Sequence, residues 1–175
     1  MPIVLMSGKD SQFKSMRYLI LCLSLTLFTS CTSKKSASED LLEDFITKIF
    51  KSDSYTFQDI EAFMIPEYFE KKQTLSEDNQ KIHKRYLEEI VAYIRKDFRK
   101  NNSMYEIIEK DKFIHKDYKE VVYKGAGKVY FMVSGGEPLA LFVVENEKLY
   151  AFCIDIYLSK KGHLVPYFFF DQTKL

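Results

Sequence analysis

The apolar residues of this chain change their spacing once, near residue 103, and that change limits the fold more than any other feature. Before it, Leu41, Leu42, Phe45, Ile46, Ile49 and Phe50 recur at helical spacing, and Phe57, Ile60, Phe63 and Met64 make a second, shorter stripe. Such spacing gives each helix one broad apolar face. Ser38 is placed to cap the first helix, with Glu39 and Asp40 in its first turn, and Ser52-Asp53-Ser54 breaks it. Pro66 ends or redirects the second helix, and Tyr68 and Phe69 follow in a further helical turn. A third and longest helix is expected from Ser76 to the Asn101-Asn102-Ser103 stop. Its inward face is read as Ile82, Tyr86, Ile90, Tyr93, Ile94 and Phe98. Arg95, Lys96, Arg99 and Lys100 crowd its last turns, where cations complement the helix dipole.

Beyond residue 103 the period is two. Short strands are expected over 105–109 and 120–123, then Lys128–Ser134, 139–145, a longest strand over 148–158, and 164–170. The reversals between them are Gly135-Gly136-Glu137-Pro138, Asn146-Glu147 and Ser159-Lys160-Lys161-Gly162. Connections this short join antiparallel neighbours. The expectation is an α+β fold in which three N-terminal helices pack on a C-terminal antiparallel meander, as one domain over 38–175. With 46% hydrophobic and 15% aromatic residues, the chain has ample material for a core.

The first thirty residues read as an address. From Tyr18 to Phe28 no residue is charged, Arg17 precedes the run, and Lys9 and Lys14 lie upstream. A cationic segment, a short apolar run and then small residues make a secretory signal. The run is well short of the ~20 residues a spanning helix needs. Met16 followed by Arg17 would make a compact signal by itself, so Met16 is expected to be the true start. The run closes on Leu27-Phe28-Thr29-Ser30-Cys31, which resembles the lipobox of bacterial lipoproteins, with Phe28 where the family usually has Leu. The resemblance implies cleavage before Cys31, lipid on its thiol and attachment to a membrane. Thr32, where some inner-membrane lipoproteins carry Asp, implies sorting to the outer membrane. Residues 31–37 are then a polar tether. An ordinary signal with a coincidental cysteine and a buried core helix are the competing readings.

Charge excludes one class of partner. The chain has 26 basic and 25 acidic residues, and loss of 1–30 removes Lys9, Lys14, Arg17 and Asp10, leaving 23 and 24. No overall positive field exists to collect nucleic acid or anionic lipid, so any membrane attachment must come from something other than bulk charge. Of the three cysteines, Cys22 leaves with the signal, and Cys153, in an apolar strand, reads as a small buried hydrophobe. Cys31 and Cys153 are too few for a disulfide framework.

Chemistry is sparse. His83, His115 and His163 fall on a helix, a loop and a turn, none with a second ligand at metal spacing, so no metal or cofactor is expected. Gly125-Ala126-Gly127 lacks the Lys-Ser/Thr pair and following helix of a phosphate loop and reads as a turn. Asp155 is the weak catalytic candidate. Strand alternation puts it with Leu149 and Cys153, where apolar neighbours would raise its pKa; a solvent-reaching or lysine-paired carboxylate is the plainer reading. Tyr167-Phe168-Phe169-Phe170 reads as core.

Helices followed by a curved antiparallel sheet resemble, in element order over 38–170, the cystatin-like and NTF2-like lipoprotein domains of bacteria. That resemblance implies a sheet able to hold a small ligand, a peptide or a partner. The reading is therefore a lipid-anchored, non-enzymatic domain that binds a ligand or an envelope protein. A small hydrolase or isomerase-like enzyme using Asp155, and a structural subunit of an envelope complex, are the alternatives.

Overall fold

A computed structural model of the chain describes residues 35–116, 118 and 121–153, together with the backbone of Tyr157–Lys160 and His163–Pro166. Cys31, Met16, Asp155 and Tyr167 to Phe170 lie outside the described residues.

Helix α1 spans Ala37–Phe45 and runs on into a π-helical turn, Ile46–Lys51. Its cap is Ser36, not Ser38. The Ser36 hydroxyl accepts from the Glu39 N–H while the Glu39 carboxylate accepts from the Ser36 N–H, closing a reciprocal box. The expected apolar stripe holds, with Leu42, Phe45, Ile46, Ile49 and Phe50 all buried. Thr56 and Asp59 repeat the same box at the start of α2, Phe57–Glu61. Pro66 does not merely end α2. It opens α3, Pro66–Thr74, at the first position, where its missing N–H costs nothing. Ser76 caps α4, Glu77–Lys100. There are thus four helices among the described residues where three were expected.

The buried face of α4 also differs. It comprises His83, Leu87, Ile90, Val91, Ile94 and Phe98, whereas Ile82 and Tyr93 are about half exposed. Ile90, Ile94 and Phe98 keep the expected face, which His83, Leu87 and Val91 join, His83 with the Tyr68 hydroxyl as its partner inside.

The strands β1, Glu106–Glu109; β2, Lys128–Ser134; β3, Glu137–Glu145; and β4, Lys148–Cys153, form one antiparallel sheet in the order β1-β2-β3-β4. Strands β5, Tyr157–Lys160, and β6, His163–Pro166, form a separate two-stranded sheet. The single strand expected over 148–158 is therefore two strands in different sheets. Of the strand expected over 120–123, the described residues 121–123 hold only an isolated bridge, at Val121. Tight turns at Gly135-Gly136 and Asn146-Glu147 take positive φ at both central residues, which suits the right-handed twist of the hairpins.

Both faces of the four-stranded sheet are covered. The helices bury Tyr130, Met132, Phe142, Val144, Leu149 and Phe152 on one face, with Phe45 at the centre of the contact. Its ring lies 5.3 Å from Phe50, 5.2 Å from Phe63, 5.9 Å from Phe142 and 5.4 Å from Phe152. On the other face, Phe113, Tyr118, Val121 and Tyr123 from the long β1–β2 connection cover Val129, Phe131, Val133, Leu141, Val143 and Cys153. A bulge corrects the expected alternation in β4. Val143 pairs with Ala151 but Val144 pairs with Leu149, so Tyr150 is the extra residue. One inserted residue reverses the faces that follow it. Leu149 therefore joins Phe152 on the helical side, while Cys153 is buried on the opposite side.

Candidate functional site

Two places collect polar groups. The first is inside the helical layer. Glu61 ends α2, Tyr68 and Lys72 lie one turn apart on α3, and His83 sits in the second turn of α4. The Tyr68 hydroxyl donates to Glu61 Oε1 at 3.1 Å, and the Lys72 ammonium donates to the same oxygen. His83 Nε2 lies 3.2 Å from the Tyr68 oxygen. Since the only proton of the phenol is committed to Glu61, Nε2 carries the proton of this contact and the imidazole donates. His83 is 1% exposed. Burial, helped by the nearby Lys72 charge and opposed by Glu61, lowers its pKa from 6.5 to about 4. Burial first, and then the Glu61 carboxylate, push the Tyr68 phenol far above its ordinary range. At neutral pH the ring is uncharged and the phenol protonated. The chain of groups joins α2, α3 and α4, with His83 and Tyr68 buried and the Glu61 carboxylate partly exposed beside Lys72.

The second is a surface groove of about 700 Å³ where α4 hands over to the sheet. Its walls include Lys100, Asn102, Met104, Tyr105, Glu106 and Ser134. Asn102 and Ser103 both take φ near +55°, and the Ser103 N–H reaches back to the Phe98 carbonyl at 3.1 Å, so a left-handed pair closes the helix and turns the chain into β1. Tyr105 donates to Glu43 of α1, which Lys35 also contacts at 2.9 Å. That phenol hydrogen bond, more than the lysine, holds the Glu43 pKa below the usual carboxylate range. Buried Ser134 closes the groove at the end of β2. Two amides, three hydroxyls, a cation and a carboxylate around an exposed methionine can hold a small polar ligand or an extended peptide.

Of the basic cluster of α4, the two arginines reach back onto the first helix, while Lys96 stays exposed and Lys100 pairs with Asp97 of its own helix. Arg95 donates to the carbonyls of Ile49 at 3.1 Å and Ser52 at 2.7 Å, and lies 4.8 Å over the Tyr55 ring. Arg99 reaches the Ser52 carbonyl at 3.4 Å. These guanidinium groups satisfy the carbonyls that the π-helical turn leaves open, a role that sequence spacing assigned to their own helix. Gly127 is a packing glycine: a Cβ there would stand 2.6 Å from the Val144 carbonyl oxygen. His115 stacks on Phe113 at 5.6 Å and lies 3.4 Å from the Glu137 carboxylate. No cluster of three metal-ligating side chains occurs among the described residues. Nor is any helix among them long and apolar enough to cross a membrane.

Sequence reasoning missed the groove and the Glu61–Tyr68–His83 chain. The second had one available signal, a histidine spaced four and seven residues from Leu87 and Ile90 on the face that proves buried. No family model, no curated protein and no solved structure matches the chain.

Proposed function

We propose that the chain is a bacterial lipoprotein, cut before Cys31 and held by lipid on that thiol at the cell envelope, at the outer membrane by the identity of Thr32. Its folded part acts as a non-enzymatic domain of cystatin-like or NTF2-like type that binds a small ligand or a protein partner. The observation that carries the reading is the uncharged run from Tyr18 ending on Thr29-Ser30-Cys31 behind Arg17. Two or more acyl chains give stable anchoring where one binds reversibly. The groove between the end of α4 and β1 supports the binding role, since it gathers amides, hydroxyls and charges around the exposed Met104.

Replacing Cys31→Ser tests the anchor. The variant is expected to lose incorporation of labelled palmitate and to leave the membrane fraction; equal label and equal sedimentation would refute it. A photo-crosslinker in place of Met104, which is 69% exposed in the groove, tests the binding role in living cells. A discrete crosslinked partner or small-molecule adduct is expected there and not from the same probe at exposed Glu89.

A further inference from the structure

The polar groups of the surface groove divide into those engaged by the fold and those left open. Lys100 donates to the Asp97 carboxylate at 2.9 Å, and the Asn101 amide donates to the Asp97 carbonyl at 3.2 Å. The Tyr105 hydroxyl is committed to Glu43. Lys51 lies 4.8 Å over the Tyr105 ring, close enough to Glu43 for its charge to act on that carboxylate. The cations at this end of the fold therefore already face anions of the fold.

Glu106 is different. It is exposed at the start of β1, stands opposite apolar Val133 on β2, and has no cation at ion-pair distance among the described residues. Glu109, at the other end of the same strand, shows the contrast: Lys128 lies 2.9 Å and Lys112 3.6 Å from it. Ser134 is only 7% exposed and lines the groove, yet its hydroxyl has no hydrogen-bond partner among the described residues. Native folds rarely leave so buried a polar group unpaired, and this one opens on the groove. The Asn102 amide and the Ser103 hydroxyl are likewise unpaired among the described residues.

The open set is thus one carboxylate, two hydroxyls and an amide, beside the exposed Met104 side chain. All four can accept a hydrogen bond, and the one full charge among them is negative. A protonated primary amine is the complement, with three N–H donors and a single positive charge in a compact head. Met104 offers a flexible apolar surface to the carbon chain behind that head. An anionic ligand would meet Glu106 with no open cation to offset it.

We propose that the groove binds ligands through a protonated primary amine, with Glu106 as the counter-ion and Ser134, Ser103 and Asn102 accepting from the ammonium group. This deepens the binding role proposed above and rests on the groove being its seat. The full chain, in detergent at pH 7, is labelled with carbon-13 at its methionine methyl groups, and the Met104 signal is assigned by its loss in Met104→Leu. Cadaverine and tetraglycine amide are titrated separately; N-acetyl-tetraglycine amide, pentanediol and acetate serve as probes without an ammonium group. A saturable shift of the Met104 methyl is expected with an amine and not with the other three, and the tighter arm tells a free diamine from a peptide amino terminus. Glu106→Gln should weaken binding about tenfold and Ser134→Ala about fivefold, as loss of a hydrogen bond to a charged group does. No saturable shift with either amine, or equal affinity in Glu106→Gln, overturns the amine site. A shift with acetate or pentanediol alone overturns it too, but leaves the groove its binding role. Silence from all five probes, with no adduct from the crosslinker at Met104, overturns both. Unmoved signals from the other methionines check that each variant keeps the fold.

Discussion

Lowering the pH should strike first at His83. The imidazole is buried against Tyr68 in its neutral form, and its pKa falls from an ordinary 6.5 to about 4. A group whose folded pKa is depressed by burial of its neutral form takes up protons more readily when unfolded. Its stabilising effect is present above the unfolded value and is lost as pH falls toward the folded one. At about 1.36 kcal/mol for each pKa step, the gap between 6.5 and 4 amounts to roughly 3.4 kcal/mol in full. Integrated over titration, about 2 kcal/mol of that is lost between pH 7 and 5, and about 3 by pH 4. For a domain with marginal stability this is a large fraction. Urea titrations from pH 7.5 to 4 would measure it, with His83→Gln as the reference, because the Gln amide can still donate to Tyr68 but does not titrate. Carboxylates held by cations, such as Asp59, whose pKa its bonds to Lys48 and Thr56 lower to about 2, destabilise both proteins alike at low pH. The difference between the two curves isolates the histidine. Parallel profiles would show that the ring is protonated without cost and would refute the enclosed neutral imidazole.

Other outcomes follow from packing and turn geometry. Phe45→Ala removes the ring that touches Phe50, Phe63, Phe142 and Phe152, and should cost about 3–5 kcal/mol in urea unfolding. Glu147→Gly should stabilise the fold by about 0.5–1 kcal/mol, because Glu147 holds φ +57° in a two-residue turn that favours Asn-Gly; a lower midpoint would contradict the turn.

What could be read from the chain divides along physical lines. Strand Lys128–Ser134, the Asn146-Glu147 reversal and the span of α4 follow from local chemistry: period, turn residues and capping by Ser76. The α+β class with helices before an antiparallel sheet follows from the same signals. Three features depend on partners far along the chain and leave no periodic trace. The bulge at Tyr150 inserts one residue into an otherwise regular alternation, and moved Leu149 to the face where it was not expected. His83 is inward only because Tyr68, fifteen residues earlier, supplies its hydrogen bond. Arg95 caps carbonyls more than forty residues away, so its own helix gave no hint of the role. Of the sequence-derived site residues, Cys31 and Asp155 lie outside the described residues, His83 proves a core residue, and the groove beside Met104 was not foreseen.

The short link between α2 and α3 has a consequence for how the protein is made. Leu149 of β4 accepts from the Ile65 N–H at 3.0 Å and donates to the Phe63 carbonyl at 2.8 Å, so main chain from the first half is stitched to main chain from the second. Phe45, in the first helix, likewise waits for Phe142 and Phe152. Domains commonly consolidate from the N-terminus as they leave the ribosome. Here the helices emerge early yet lack their backbone and ring partners until residue 152 has been synthesised, so native packing comes late in translation, with the whole domain nearly in hand.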